Sequence, residues 1–327
     1  MILLNKSQIN NILQFITTQK VLVIGDCMLD HYIWGDVHRI SPEAPVPVVQ
    51  IDRDTYRLGG ACNVALNLKH LGADVSLLGL VGEDTYGKLL TQLIRDFKIH
   101  FLDGNIHTDI NSIVKTRVVV RDQQLCRLDR EKTFPSEKVE AFLPILEKTI
   151  SQFSVVIVSD YAKGTVTQML LEKLVDLKKQ HSFFLAVDPK PSHQLNYSGI
   201  DLLKPNRSEA LQLSHRTLKN GEAFPLKEIA QAIFKEHASR FLAITLGEQG
   251  IAVLDQSLNG DVSPIIPQEV FDVSGAGDTA VVALTMALCS GSSLIEAAHF
   301  ANILSGIVVG KIGTASILPE EILAYVS

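Results

Sequence analysis

With 327 residues, 46% of them hydrophobic and 20% charged, the chain suits one large or two ordinary globular domains with a sizeable core, which excludes a disordered protein. A formal net charge of −6 argues against general nucleic-acid binding, while leaving room for local basic pockets that take a phosphorylated substrate. Cys27, Cys62, Cys126 and Cys289 contain no CxxC pair, so neither a zinc site nor a disulfide framework is read from them.

The N-terminal stretch has helical apolar spacing at Ile9, Ile12, Leu13 and Ile16, yet is too polar for a signal peptide or membrane span, so a cytoplasmic protein is expected. From Lys20 onward, apolar runs at 21–25, 75–80, 155–159, 183–187, 201–203 and 242–246 suit buried parallel strands. They alternate with amphipathic helical patterns at 61–71, 86–97, 136–150, 166–180, 208–213 and 226–238. This alternation predicts an α/β fold with a mainly parallel central sheet. No repeat, low-complexity tract or long linker divides the chain, so 1–327 is expected to form one domain.

Two segments break the rhythm. Residues 31–52 carry Pro42, Pro45 and Pro47, and residues 112–130 alternate at Val118, Val120, Leu125 and Arg127 around a turn at 121–124. Together they predict a small β-lid over the carboxyl ends of the parallel strands, where ligands of open α/β sheets bind; surface hairpins are the alternative.

Strand ends supply the candidate site. The first strand runs into Gly25-Asp26-Cys27-Met28-Leu29-Asp30, which puts two acids, Asp26 and Asp30, at the mouth of the sheet where a sugar hydroxyl could be gripped; a turn acid is the alternative for Asp30. Gly59-Gly60 then opens a helix bearing Asn63, and the two glycines allow close backbone approach. Residues 82–89 nearly spell a phosphate-binding P-loop, but Leu89 has no hydroxyl for a metal ion, and a turn leading into a helix is the better reading. Asp160 and Lys163, then Asp188 and Lys190, follow the next strands. Asn206 and Glu209, three apart, suit a magnesium-bound phosphate through water, or a helix cap. Thr245, Gly247 and Gly250 form a strand-to-glycine turn that fits a nucleotide phosphate or a plain hairpin.

The stretch 272–280 sets Gly275-Ala276-Gly277 and the carboxylate of Asp278 against an apolar helix at 279–289, the pattern of an anion site with a base inside it. Two other readings compete. Asp278 could be an early-helix acid, and Gly275-x-Gly277-x-x-Ala280 matches a dinucleotide fingerprint with Glu296 at the ribose-binding spacing. Glu296, however, lies in a helical pattern at 295–309, and Asp278 would repel a pyrophosphate. A kinase therefore outranks a Rossmann dehydrogenase, and the acid within the glycine turn argues against a non-catalytic sugar-binding module.

These residues resemble the PfkB/ribokinase-type sugar kinases. The likeness spans essentially the whole chain and rests on Gly59-Gly60-x-x-Asn63 with Gly72 and Gly82, on 272–284, on Asn206-x-x-Glu209 and on Thr245-x-Gly247-x-x-Gly250. Within the family, residues 39–47, 159–164 and 310–314 are similar to the branch that phosphorylates the anomeric hydroxyl of D-glycero-β-D-manno-heptose 7-phosphate, a step toward ADP-heptose and lipopolysaccharide core. A kinase for another sugar, sugar phosphate or nucleoside is the alternative.

The resemblance implies a ribokinase-like three-layer α/β/α sandwich with a β-lid, ATP and Mg2+ as cofactors, and a monovalent cation as an open requirement. It implies Asp278 as the general base for the 1-hydroxyl, and the Gly275, Ala276 and Gly277 amides as the anion hole. Asp30, Gly59, Gly60 and Asn63 would hold the sugar. Asn206 and Glu209 would hold Mg-ATP, the metal meeting Glu209 through water. Thr245, Gly247 and Gly250 would meet the nucleotide phosphates, and Asn302 the adenine. In some relatives a nucleotidyltransferase domain is fused, so the chain is read as a stand-alone kinase or a kinase half.

Arg117, Arg121, Arg127 and Arg130 crowd the lid of an otherwise acidic chain. Arg117 and Arg121 are expected to share a strand face and bind the remote 7-phosphate, with Lys163 or Lys190 reaching in. Solvated edge charges, or pairing across a homodimer formed through the lid, are the alternatives.

Overall fold

Strands covered by helices on both faces have no polar side, which is why the central runs of this chain are almost wholly aliphatic. In the computed structural model, which describes residues 4–102, 106–121, 123–219, 221–265, 270–311 and 313–326, nine strands form one sheet. Their spatial order among the described residues is Gly260–Ser263, Ile251–Asp255, Phe241–Thr245, Leu202–Leu203, Phe184–Asp188, Val155–Ser159, Lys20–Gly25, Asp74–Leu78 and His100–Phe101. Pairing is parallel from Phe241–Thr245 to His100–Phe101 and antiparallel at the opposite edge.

Successive residues alternate between two cores. Val21 and Val23 pack with the helices Lys6–Thr17, Ala61–His70, Ala276–Cys289 and Leu294–Val309, whereas Leu22 and Ile24 pack with Phe142–Thr149, Gln168–Gln180, Arg207–Leu213 and Leu226–His237. The result is the expected α/β/α sandwich.

Several boundaries differ from the sequence expectation. The helix expected over 136–150 is divided into Glu137–Glu140 and Phe142–Thr149, followed by a 3-10 turn at Ile150–Gln152. Pro144 has no N–H to bond the Glu140 carbonyl, and its ring crowds the turn before it. The strands Ile251–Asp255 and Gly260–Ser263 and the helix Pro319–Tyr325 were not anticipated; each is short. The helix expected from residue 279 begins at Ala276, so Asp278 sits inside its first turn.

The lid is a four-stranded sheet in the order Pro47–Gly60, Cys27–Ile40, Ile113–Val120 and Gln123–Arg130. It starts earlier than residue 31, because the chain leaves the core strand at Gly25 and enters the lid at Cys27. The returning strand Pro47–Gly60 runs directly into the helix Ala61–His70, so core and lid share backbone at both ends. Asp122 of the lid turn and Ile312 lie outside the described residues.

Gly60 is the joint between lid and helix. Its φ is 57° and ψ −134°, and a Cβ there would lie 2.5 Å from the Asp26 carbonyl oxygen. Gly60→Ala is therefore expected to cost about 2 kcal/mol, from backbone strain and the lost close approach. Urea unfolding should show a lower midpoint at unchanged slope; an unmoved midpoint would contradict this packing.

Candidate active site

The carboxyl ends of the central strands and the start of the helix Ala276–Cys289 meet around Asp278, which is 3% exposed. Its two oxygens are held separately. The Asn63 side-chain amide donates to Oδ2 at 2.8 Å, and the Tyr161 hydroxyl donates to Oδ1 at 2.7 Å. Burial pushes the Asp278 carboxyl up to about 6, against the pull of the Asn63 and Tyr161 hydrogen bonds and of Lys204, while Asp30 adds to the rise. Asp278 is thus ionised above that pH and close to neutral in proton affinity, a fit for a general base.

The turn preceding it is built by glycine. Gly275 has φ 82°, and a Cβ on it would lie 2.9 Å from the Asn63 Nδ2. No side chain caps this helix start. The Ala276 N–H, expected in the anion hole, instead donates to the Val273 carbonyl at 3.2 Å, because the turn closes on itself there. A buried ammonium lies beside the same turn. Lys204 is 2% exposed, and a Cβ built on Gly277 would lie 3.6 Å from its ammonium. Lys204 Nζ also pairs with Asp188 Oδ1 at 3.0 Å. Burial pushes the Asp188 carboxyl up to about 7, with Lys204 opposing and Glu209 adding to the rise.

Asp30, 3% exposed, is ion-paired with Arg117 on the adjacent lid strand. A Cβ on Gly59 would lie 2.6 Å from Asp30 Oδ2, so glycine there makes room for the carboxylate. Arg117 also sits over the Tyr32 ring at 5.3 Å, and the Tyr32 hydroxyl accepts from the Thr314 N–H at 3.1 Å. Asp272 accepts from Ser274 N and Gly313 N, both at 2.9 Å, tying the glycine turn to the same loop. Arg121 does not join Arg117. It lies past the end of Ile113–Val120 with φ 47°, where strand alternation no longer holds; its side chain is 75% exposed, 3.6 Å from Asp36. Lys163 pairs with Glu131 at 2.6 Å, and Lys190 with Glu209 at 3.0 Å.

On the far side, Asn206 and Glu209 form a reciprocal capping box on Arg207–Leu213, each accepting the other's backbone N–H at 2.9 Å. Thr245 is bridged to Asn206 and ends Phe241–Thr245. Gly247 and Gly250 flank the turn into Ile251–Asp255, which is a hairpin; a Cβ on Gly250 would lie 2.0 Å from the Ser263 carbonyl. The Asn302 amide donates to the carbonyls of Ser263 at 2.7 Å and Pro264 at 3.3 Å. That amide is committed to holding the edge strand. Asp84, in the rejected P-loop, caps Thr85–Asp96 by accepting from Gly87 N at 2.7 Å.

Among the described residues no group of three or more His, Cys, Asp or Glu side chains encloses a metal. Glu209, whose oxygens meet the Lys190 ammonium and the Asn206 N–H, would reach magnesium only through water, in keeping with an ion that retains several waters and is held mostly by substrate phosphates.

Sequence reasoning passed over Tyr161 and Lys204; each stands in a strand-end segment whose neighbours were chosen instead, and only the fold shows which side chain turns inward. Asp26, read with Asp30 as an acid for a sugar hydroxyl, is instead taken up by the backbone N–H groups of Tyr161, Lys163 and Thr165.

These features define a phosphoryl-transfer type of site on a ribokinase-like sandwich. The profile of the pfkB family carbohydrate kinases matches residues 18–321, and the chain belongs to that family, whose members use ATP to phosphorylate sugars. It is 39% identical over 310 residues to the bifunctional protein HldE of Sulfurimonas denitrificans, covering 94% of this chain and 64% of that protein. To the bifunctional protein HldE of Magnetococcus marinus it is 40% identical over 310 residues, covering 93% and 63%. The chain thus spans less than two thirds of the length of these relatives. Phosphofructokinase-2 from Escherichia coli, solved with substrates and products, shares the fold at a TM-score of 0.77 and 21% identity, covering 94% of this chain and 99% of that one. Ribokinase from Thermotoga maritima does so at 0.70 and 18%, with the same coverage. No helix among the described residues is long and apolar enough to cross a membrane.

Glutamine at position 209 would preserve the capping box while removing the charge. Glu209→Gln is therefore expected to raise the magnesium concentration needed for half-maximal activity several-fold, with little change in sugar KM. An unchanged magnesium titration would leave Glu209 a helix cap alone.

Proposed function

We propose that the chain, acting as a single kinase domain over residues 1–327, transfers the γ-phosphoryl group of ATP to the anomeric hydroxyl of D-glycero-β-D-manno-heptose 7-phosphate. The product is the 1,7-bisphosphate, on the way to ADP-heptose for lipopolysaccharide core. The observation that carries the chemistry is the doubly held carboxylate of Asp278 at an uncapped helix start beside Lys204. The choice of sugar is supported by the resemblance of residues 39–47, 159–164 and 310–314 to the heptose-phosphate branch, alongside 39–40% identity to bifunctional HldE proteins.

In this reading Asp278 accepts the proton of the 1-hydroxyl as that oxygen attacks the γ-phosphorus and ADP leaves. Negative charge spread over the transferring group is met by Lys204 and by the Gly277 amide at the positive end of the helix dipole. Glu209 would hold magnesium through water on the ATP phosphates, where the ion neutralises phosphate charge. Asp30 holds a sugar hydroxyl, and Arg117, turned inward beside it, takes the remote phosphate; Arg121 is too exposed for that part. Because phosphoryl transfer depends mainly on positioning and charge, these groups suffice without a covalent intermediate.

The reading extends to assembly and supply. The lid presents apolar side chains to solvent, among them Ile40, Val46, Ile51, Leu125 and Leu128, beside a groove of about 460 Å³, which suits a homodimer formed through the lid. A nucleotidyltransferase, fused or separate, would act downstream, on the heptose 1-phosphate left once the 7-phosphate has been hydrolysed. A monovalent cation is part of the proposal; phosphofructokinase-2 from Escherichia coli has been solved in complex with potassium.

The test is ADP release over a panel of sugar phosphates and free sugars, for the wild type and Asp278→Asn. The heptose 7-phosphate should be the best acceptor. Asp278→Asn should keep nucleotide binding and lose about two to four orders of magnitude in turnover. Near-normal turnover of the variant at saturating sugar would remove Asp278 as the base, and a better acceptor would replace the heptose.

A further inference from the structure

We propose that Tyr161 is a positioning residue for phosphoryl transfer: held in place by a loop folded around Asp26, its hydroxyl fixes the Asp278 carboxylate against rotation. The proposal rests on the kinase reading, in which Asp278 is the base.

Asp26 is fully buried directly after the core strand Lys20–Gly25. It is used entirely on backbone: its Oδ2 accepts from Tyr161 N at 2.8 Å and Lys163 N at 3.0 Å, and its Oδ1 from Thr165 N at 3.0 Å. Asp160 closes the same loop by accepting from Ala162 N at 2.8 Å. Ala162 and Gly164 both have positive φ, 60° and 100°, and Phe134 N donates to the Lys163 carbonyl at 2.7 Å. A loop fastened at so many points aims the Tyr161 ring with little freedom.

That aim ends on Oδ1 of Asp278 at 2.7 Å, while Asn63 occupies Oδ2 at 2.8 Å. Asn63 is itself braced, since the Asn67 amide donates to its backbone carbonyl at 2.9 Å and lies 3.4 Å from its Oδ1. One donor on each oxygen prevents the carboxylate from flipping and leaves lone pairs for the incoming proton. Tyr161 keeps its own proton throughout. Burial pushes its phenol well up, and Asp278, Asp188 and Asp30 push in the same direction. It is a donor, not a second base.

Charged groups facing Asp278 come from several elements: Lys204 after Leu202–Leu203, Asp188 at the end of Phe184–Asp188, and Asp30 on Cys27–Ile40 with Arg117 against it. The helix Ala61–His70 presents the uncharged Asn63, and Leu294–Val309 presents Ser305, whose hydroxyl donates to the Ala276 carbonyl at 3.4 Å. Tyr161→Phe leaves all of these in place and removes one hydrogen bond to a charged acceptor. The ionised form of Asp278 then loses support, so its proton affinity rises.

The experiment compares kcat against pH for wild type and Tyr161→Phe on the same heptose phosphate, whose own titration is identical in both. The acid limb should move upward by about one pH unit, with turnover partly recovered on the alkaline side and the KM for ATP unchanged. In the Asp278→Asn background, Tyr161→Phe should cause no further loss. A uniform loss at every pH with the limb unmoved, or an equal further loss in that background, would overturn the proposal. Replacing Tyr161 by 3-fluorotyrosine keeps the ring and strengthens the donor, and should move the limb downward, which keeps the idea testable if Tyr161→Phe folds poorly. An active Asp278→Asn would fault the assignment of Asp278 as the base, on which this proposal rests, an outcome separate from an unmoved limb in Tyr161→Phe.

Discussion

The structure depends on keeping one carboxylate ionisable inside an apolar core. Burying an unpaired charge is costly, and Asp278 is the third residue of a helix whose next nine residues, Thr279 to Ala287, are all buried. Asn63, Tyr161 and Lys204 offset that cost, and they come from a helix and two strand ends far apart in sequence. None of the three contributes unless the sheet, the helix Ala61–His70 and the loop at 161–165 are all in place. Fold and site are therefore a single problem for this chain.

Glycine solves its tightest parts. At Gly275 a side chain would collide with Asn63, at Gly59 with Asp30, and at Gly60 with the backbone of Asp26. The first lies between two core helix starts, the second within the lid, and the third at the junction of lid and core. The strand Cys27–Ile40 carries Asp30 from the edge of the core into the lid, and Arg117 meets it from the neighbouring lid strand. Arg117 in turn shares Tyr32 with the loop containing Thr314, which Asp272 ties to the glycine turn. One face of the lid is thereby bound to the base's own turn, and the other carries exposed apolar side chains.

Much of the architecture was legible in the sequence, because two-faced burial writes aliphatic runs and strand-end glycines into it. The parallel strands, the lid and the collection of site candidates at carboxyl ends followed from those signals. Short antiparallel strands such as Gly260–Ser263 did not, since four residues carry too little pattern. Arg121 misled because spacing along a strand says nothing once the backbone turns through positive φ. Tyr161 and Lys204 were hidden for a different reason: a tyrosine and a lysine at strand ends are unremarkable until the fold turns one toward Asp278 and the other toward Gly277. Asn302 and Gly250 illustrate the converse, residues with a ready functional reading whose observed contacts hold the edge hairpin together.

The central claim is that Asp278 is a buried carboxylate whose proton affinity is set close to neutrality by opposing neighbours. Carbon-13 NMR of carboxyl-labelled aspartate, with the Asp278 signal assigned by its loss in Asp278→Asn, measures this directly. The account expects that carboxyl to titrate with a midpoint of about 6. A midpoint in the ordinary aspartate range, about 4, would contradict it.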